Sequence, residues 1–315
     1  MSSELFPVRS GVPQGSVLGP LLFSLLINDL SDSLSTCSYH LFADDVQIYT
    51  PLDRSYPGLA ILTLNDELRL ISIWAHDNYL CLNPIKSHAI VFSLSRSNFL
   101  EYDRLAAIYL DGNIVEYRST VVNLGLTLNR SLTWGDHIRT VTSKVFSGLR
   151  SLWLHATVMP TRTRSLLVKS LLVPIITYGD VVFRGNMSGT DKKAIKRMFN
   201  GLLRFAYGLD RYSSTSRHES RLFGCDIFKY LEFRSCVFIH RLMSRRSPDY
   251  LCSLLKPSLF FHRNFSYVLP LSISSSYNGS FFVRGVALWN ELPLCIRRIA
   301  GVGEFRHRCR DYYCD

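Results

Sequence analysis

The chain has 315 residues, 47% hydrophobic and 19% charged, and a net charge of +11 from 36 Lys and Arg against 25 Asp and Glu. That length allows about two domains, and that apolar content supports a sizeable core, which excludes wholesale disorder. The longest apolar runs, residues 20–30 and 166–183, are interrupted by Asn28, Asp29, Lys169, Thr177 and Asp180 and fall short of the ~18 unbroken residues of a membrane span. The first fifteen residues lack a basic stretch followed by an apolar one, so a nuclear or cytoplasmic rather than secreted protein is expected. The charge is unevenly spread: residues 1–130 carry −5 and residues 131–315 carry +16. A basic half of this kind favours polyanions, with nucleic acid the leading partner.

In chain order, the segment Gly11-Val12-Pro13-Gln14-Gly15-Ser16-Val17-Leu18-Gly19-Pro20 is a shaped loop, and the apolar residues 21–30 behind it predict the start of a buried helix. Residues 37–49 predict a hairpin with Asp44-Asp45 at its turn. Ile61, Leu64, Leu68, Ile71 and Ala75 recur at helical spacing and predict an amphipathic helix ending near Asp77. Strands are predicted over 89–94, 107–110 and 114–117, the last two joined by Asp111-Gly112-Asn113, and one further strand over 121–128. Helices follow over 135–155, 161–178 and 190–207. In the third, Ala194, Ile195, Met198, Phe199, Leu202, Leu203 and Ala206 form an apolar stripe beside a basic one of Lys192, Lys193, Lys196, Arg197 and Arg204. Residues 209–220 read as a linker and 272–280 as a loop. The fold class is α+β: an antiparallel sheet with helices on one face to about residue 130, a helical region over 131–210, and a basic, mostly helical extension over 211–315.

Eight cysteines are present without any C-x-x-C pair. The tail His307, Cys309 and Cys314, with Cys295 distant, is the one cluster of metal-ligand type. Zinc sites close with tighter paired spacings, so reduced cysteines are expected instead.

Adjacent carboxylates at a tight turn repel unless a positive group meets them, and a hard divalent cation resolves the repulsion. Leu41-Phe42-Ala43-Asp44-Asp45 lies about 30 residues after the glycine- and proline-rich block. Leu82-Asn83-Pro84-Ile85-Lys86-Ser87 and Leu124-Gly125-Leu126-Thr127-Leu128 follow in order, then Trp134 and His137-Ile138, and finally residues 282–293, FVRGVALWNELP. This ordered string resembles the reverse transcriptases of non-LTR (LINE-type, Jockey-like) retrotransposons, from motif B of the palm through motifs C, D and E to the thumb and the end of the reading frame.

The resemblance implies an RNA-directed DNA polymerase palm over 1–130, a thumb over 131–210 and a C-terminal extension over 211–315. It implies that Asp44 and Asp45 hold catalytic Mg²⁺, or Mn²⁺ in its place, for nucleotidyl transfer. Lys86 would assist the leaving group, while Gln14 and Gly15 border the incoming nucleotide and Phe42 flanks the primer terminus or packs within the palm. RNA template, DNA primer and dNTP would be the partners, with the basic helices, including Lys192, Lys193, Lys196, Arg197 and Arg204, gripping the backbone. The family's first metal-binding aspartate belongs to a motif A upstream of the glycine block, and only ten residues precede Gly11 here. Two outcomes are therefore expected: a truncated polymerase fragment inactive alone, or a non-catalytic remnant that binds RNA or DNA through its basic half. Asp180, in Tyr178-Gly179-Asp180, is flanked by apolar residues but is not expected to replace the missing ligand. An incomplete sheet would leave an unpaired edge and poor solubility.

Overall fold

The computed structural model describes residues 11–12, 15–53, 55–93, 105–259, 261–271 and 274–314. The chain divides into two compact units, Met1–Ser119 and Thr120–Asp315. Helices dominate and three small sheets accompany them, an α+β composition as expected.

In the first unit, α1 (Gly19–Ile27) runs through a 3-10 turn (Asn28–Ser33) into the hairpin β1 (Ser38–Phe42) and β2 (Asp45–Tyr49). Helix α2 (Pro57–Asp77) follows, then β3 (His88–Ala89), β4 (Ile108–Leu110) and β5 (Asn113–Tyr117). Pro57 suits the first turn of α2, where its missing N–H costs nothing. The apolar face of α2 serves two cores. Ile61 and Leu64 pack with Ile108, Leu110 and Val115 of the sheet. Ile71 and Trp74 pack with Ile27, Leu30, Leu41, Val46 and Ile48, while Leu68 and Leu82 belong to both.

Two expectations need correction here. The sheet is not wholly antiparallel: its order is β3-β5-β4, with β5 antiparallel to β4 but parallel to β3. Parallel neighbours need a long crossover, and the chain between β3 and β5, β4 included, supplies it. The strand expected over 89–94 also stops at Ala89; residue 94 lies outside the described residues. On the far side of β4, the Asn65 side chain imitates a strand. Its Nδ2 donates to the Ala107 carbonyl at 3.0 Å and its Oδ1 accepts the Tyr109 N–H at 2.9 Å, covering backbone groups that an edge would otherwise offer to another chain.

The stretch 21–30 is helical but not a buried helix. Phe23, Ile27 and Leu30, spaced for one helical face, enter the core. Leu21 and Leu25 are 59% and 65% exposed, and Leu22 and Leu26 are exposed as well.

The second unit opens with the hairpin β6 (Thr120–Asn123) and β7 (Leu126–Asn129). The single strand expected over 121–128 is thus two strands, because Leu124 and Gly125 take positive φ (44° and 78°) and turn the chain. Leu126 and Leu128 pack against the helical core that follows, which is why residues 120–129 fall with the helices.

Helix α3 (Gly135–Trp153) presents Ile138, Val141, Val145 and Leu149 to that core. The helical pattern of 161–178 is realised as α4 (Thr161–Leu167) and α5 (Val173–Thr177) joined by a π-turn, with Pro174 in the first turn of α5. Next come α6 (Asp180–Phe183), α7 (Gly189–Tyr207), α8 (Ser216–Phe223), α9 (Ile227–Arg245), α10 (Asp249–Cys252), α11 (Phe261–Asn264) and α12 (Ser275–Asn278). A π-turn (Phe281–Gly285), α13 (Val286–Glu291), α14 (Leu294–Arg297) and α15 (Val302–Cys314) complete the chain. The expected linker over 209–220 therefore contains the start of α8, and the expected loop over 272–280 contains α12. A second core joins α9 to α13, α14 and α15 through Phe233, Val237, Ile239, Trp289, Ile296 and Phe305.

The two backbones at Gly185 and Gly279 touch. A Cβ on Gly185 would lie 2.0 Å from the Gly279 carbonyl oxygen, and one on Gly279 would lie 1.7 Å from Asn186 Oδ1. Gly185→Ala should therefore destabilise the second unit by about 1–3 kcal/mol, as overpacking does, read as a lowered urea midpoint; an unchanged midpoint would mean that the 279 segment moves away freely. No single helix among the described residues is long and apolar enough to cross a membrane; the bent pair Thr161–Thr177 and Asp180–Asn186 meets that criterion by length and composition.

Candidate functional site

The β1–β2 hairpin pairs Ser38 with Tyr49, Tyr39 with Ile48, His40 with Gln47, Leu41 with Val46 and Phe42 with Asp45. Its turn is therefore Ala43-Asp44, one residue earlier than the sequence suggested, and Asp45 is the first residue of β2. Strand alternation separates the faces. Leu41, Val46 and Ile48 enter the core below. Phe42, His40, Asp45, Gln47 and Tyr49 share the other face, where Phe42 is 61% and Tyr49 50% exposed. On that face the His40 and Tyr49 rings stack, and the Tyr49 hydroxyl lies 3.2 Å from His40 Nε2.

Asp44 and Asp45 are both exposed, and neither side chain forms a hydrogen bond or ion pair among the described residues. Ala43 bears φ of 51°, a left-handed conformation that costs an L-residue roughly 1–2 kcal/mol. The core beneath holds it there.

A residue missed from the sequence fixes the hairpin's root. Glu67 sits on α2 one turn before Ile71, on the apolar face, and is only 3% exposed. Its carboxylate accepts the backbone N–H of Ser35 (3.0 Å), of Thr36 and of Cys37 (3.0 Å), clamping the three residues that lead into β1. Burial alone would raise the Glu67 pKa, but the N–H of Thr36, the thiol and N–H of Cys37 and the N–H of Ser35 together hold it below the usual value. The same pocket pushes the Cys37 thiol up to about 11, through burial and then through Glu67, so it stays protonated at neutral pH. The sequence signal for Glu67 was a carboxylate at a core position of an amphipathic helix.

Of the nucleotide-side residues, Gly15 is exposed with φ of 87°, a conformation glycine adopts freely. The Ser16 hydroxyl accepts the N–H of Gly19 at the start of α1 (3.1 Å). Gln14 lies outside the described residues. Lys86 is exposed on the turn after Asn83-Pro84, where its N–H bonds to Asn83 Oδ1 at 3.1 Å. Leu82, just before that turn, packs in the core shared with Leu41 and Val46. Lys86 forms no ion pair with Asp44 or Asp45. Among the described residues no group of three or more His, Cys, Asp or Glu side chains is placed to hold a metal ion. Asp44 and Asp45 offer free, hard oxygen donors suited to one side of a Mg²⁺ site, whose octahedral shell would be completed by other oxygens.

Asp180 is not a further ligand. It is 2% exposed, and Arg234 grips it with Nε at 2.6 Å and a terminal nitrogen at 3.1 Å. Next to it, the Tyr178 hydroxyl donates to the Leu124 carbonyl at 2.8 Å, so Tyr178-Gly179-Asp180 ties the β6–β7 turn and α9 to the helices between them. Trp134 and His137 are likewise packed, 6% and 3% exposed, with the Thr127 N–H donating to His137 Nδ1 at 3.3 Å. Burial, then Lys144, lowers the His137 pKa, which keeps the ring neutral.

The basic stripe of α7 is partly consumed by the fold. The capping box of Ser188 and Asp191 starts this helix, and six residues of its expected apolar stripe are buried, with Ala194 half-buried and Phe205 buried beside them. Lys192, Lys193 and Arg197 are exposed. Lys196 is held by Glu219 at 2.8 Å and by Asp226, the N-cap of α9, at 2.5 Å. Burial opposes its charge, yet those carboxylates outweigh it and raise its pKa. Arg204 is half-buried, with Nε unpartnered. The hairpin and this stripe lie in different units.

Residues 2–128 match the family described as reverse transcriptase (RNA-dependent DNA polymerase). The chain is 30% identical over 185 residues to a protein named probable RNA-directed DNA polymerase from transposon BS of Drosophila melanogaster, covering 55% of this chain and 19% of that one. It is 28% identical over 195 residues to the RNA-directed DNA polymerase from mobile element jockey of the same organism, covering 58% and 20%. It is also 24% identical over 204 residues to a Pol polyprotein from the retrotransposable element R1 of Nasonia vitripennis, covering 62% and 58%. The chain spans about a fifth of the length of the first two relatives. No solved structure matches it.

Proposed function

We propose that this chain, whose residues 2–128 are a reverse transcriptase domain of the non-LTR retrotransposon kind, supplies part of the palm and the thumb of an RNA-directed DNA polymerase. The observation that carries this reading is the Phe42-Ala43-Asp44-Asp45 hairpin: two free carboxylates displayed on an open face over a packed core. Asp44 and Asp45 would hold Mg²⁺, or Mn²⁺, which activates a primer hydroxyl and neutralises departing pyrophosphate when bound. Gly15 offers close backbone approach to a nucleotide, and Gln14 an amide for hydrogen bonding beside it. Phe42 offers an apolar ring to the primer terminus. Lys86, on its exposed turn, is a cation or proton donor for the triphosphate. Among the described residues no third carboxylate is grouped with Asp44 and Asp45. The test is primer extension on an RNA template with DNA primer and dNTPs by this chain fused behind the N-terminal part of the jockey polymerase it resembles. Extension in Mg²⁺, abolished by chelation, is expected; metal-independent or absent extension would remove the reading.

A second role rests on charge. Residues 120–315 carry 29 Lys and Arg against 12 Asp and Glu, and Lys192, Lys193 and Arg197 project from one helix. Such a surface grips nucleic-acid backbone without reading sequence. In a remnant that does no chemistry, this binding would be the surviving function. Lys192→Ala/Lys193→Ala/Arg197→Ala should weaken binding to an RNA–DNA duplex about equally for all sequences. It should also flatten the log–log salt slope by roughly two to three, near 0.9 per lost phosphate contact. Fluorescence anisotropy across a salt series reads both quantities, and an unchanged slope would assign the grip to other basic residues.

A further inference from the structure

The last turn of α15 meets the end of α8 through sulfur. Cys314 Sγ lies 3.0 Å from Cys225 Sγ and 3.8 Å from the Phe223 carbonyl oxygen at the C-terminal end of α8. Arg310, one turn earlier on α15, reaches the same carbonyl at 3.5 Å. The residue between, Gly224, has no side chain where one would collide: a Cβ there would stand 3.0 Å from Cys314 Sγ and 3.1 Å from Cys314 Cβ. The fold therefore makes room for these two thiols to touch.

Two further cysteines, Cys309 of α15 and Cys236 of α9, are buried nearby in the chain's second core. Both are 0% exposed, and the Tyr313 hydroxyl lies 3.5 Å from Cys236 Sγ. That pair is sealed inside the second core. Cys225, by contrast, is 7% exposed and Cys314 is half-buried. His307, which the sequence grouped with these cysteines, pairs instead with Asp311 at 2.9 Å, and Cys295 is exposed. The tail thus does not converge on one centre, and Cys314 is set against Cys225.

We propose that Cys225 and Cys314 form an oxidation site, which a small-molecule disulfide of the glutathione class converts into an intramolecular disulfide tying the end of α15 to the turn after α8. Access orders the reaction. The Cys314 thiolate attacks one sulfur of the oxidised reagent, whose S–S bond breaks and releases one thiolate. Cys225 then loses its proton and attacks Cys314 Sγ, forming the Cys225–Cys314 bond and releasing the second thiolate. The cysteines give up two electrons and two protons, and one disulfide is reduced to two thiols. Burial, and then the neighbouring Cys314, push the Cys225 thiol up to about 12, consistent with Cys225 reacting second. In a reducing compartment the pair stays open.

The test uses the full chain, incubated with oxidised glutathione, unfolded in an alkylating agent and digested with trypsin without reduction. Cleavage after Arg221, Lys229, Arg234, Arg241, Arg308 and Arg310 places each of the four cysteines in its own peptide. The expected map shows peptide 222–229 joined to peptide 311–315 as the main cross-link, reversed by dithiothreitol. Peptides 235–241 and 309–310 should be recovered alkylated, because their cysteines are sealed. Cys225→Ser should leave Cys314 carrying glutathione. Recovery of 222–229 fully alkylated, or Cys314 bonded to any other cysteine, overturns the proposal. If Cys225→Ser fails to fold, the map of the unmodified chain decides alone.

Discussion

Asp44→Ala, introduced into this chain fused behind the N-terminal part of the jockey polymerase it resembles, should lower primer extension by roughly 10³-fold or more without lowering the urea midpoint. The size follows from losing a carboxylate that holds charge against a phosphoryl centre, several kcal/mol at about 1.4 kcal/mol per tenfold. The unchanged stability follows from geometry: Asp44 is exposed on the turn and has no hydrogen-bonding or ionic partner among the described residues. Asp45→Ala should behave similarly, since Asp45 shares the open face with Phe42 rather than the core face with Leu41 and Val46. Single-turnover extension with saturating primer and template separates chemistry from binding, and the chemical step should carry the loss. Activity retained within tenfold for either variant would remove that aspartate from the metal site.

Glu67→Ala offers the contrasting case that makes this diagnosis specific. It leaves the N–H groups of Ser35, Thr36 and Cys37 without their shared acceptor, so any loss of extension there should come with a loss of stability. The hairpin's chemistry and its support are thus distinguishable by experiment, and they were unequally legible in the sequence. Apolar alternation over 39–49 and the Asp-Asp pair announce a hairpin directly. The turn itself was misplaced by one residue because Ala43, not Asp45, takes the left-handed conformation, and alanine gives no turn signal. Glu67 went unread because an isolated carboxylate on an amphipathic helix ordinarily faces water.

The same physics explains the other differences. The stripe on α7 was legible in six of its seven residues, because apolar residues at 3.6-residue spacing leave one way to bury them; Ala194 is half-buried, and buried Phe205 went unread. Its basic neighbour was legible as charge but not as availability: only the placement of Glu219 and Asp226 shows that Lys196 is spent inside the protein. The β6–β7 turn was hidden because Leu124 keeps the hydrophobic alternation running through it. In α1 the sequence showed hydrophobicity but not its direction, so leucines expected in a core stand outside it. Local pattern specifies elements; which partner each face meets is decided by residues far away in the chain.

Asp180 shows how much such a distant partner is worth. Arg234→Ala should destabilise the second unit by about 3–5 kcal/mol, because it strands a carboxylate that is 2% exposed. The Thr177 carbonyl also loses its guanidinium donor at 2.9 Å. Asp180→Asn should cost less, since the Arg234 side chain is 34% exposed and regains water. The double variant Asp180→Leu/Arg234→Leu should be more stable than Arg234→Ala, because it buries no unpaired charge. A pH signature separates this account from simple loss of packing. Burial raises the Asp180 pKa above its ordinary 3.8, with Arg234 opposing, and removing Arg234 raises it further. A carboxyl whose folded pKa exceeds its unfolded value favours folding only in its protonated form. Its penalty is therefore absent below the unfolded pKa and grows as pH rises through the folded one. The gap in urea midpoint between Arg234→Ala and the unmodified chain should accordingly narrow as pH falls from about 7 toward about 4. A penalty equal at both pH values, or one below about 1 kcal/mol, would show that the Asp180–Arg234 contact contributes packing alone.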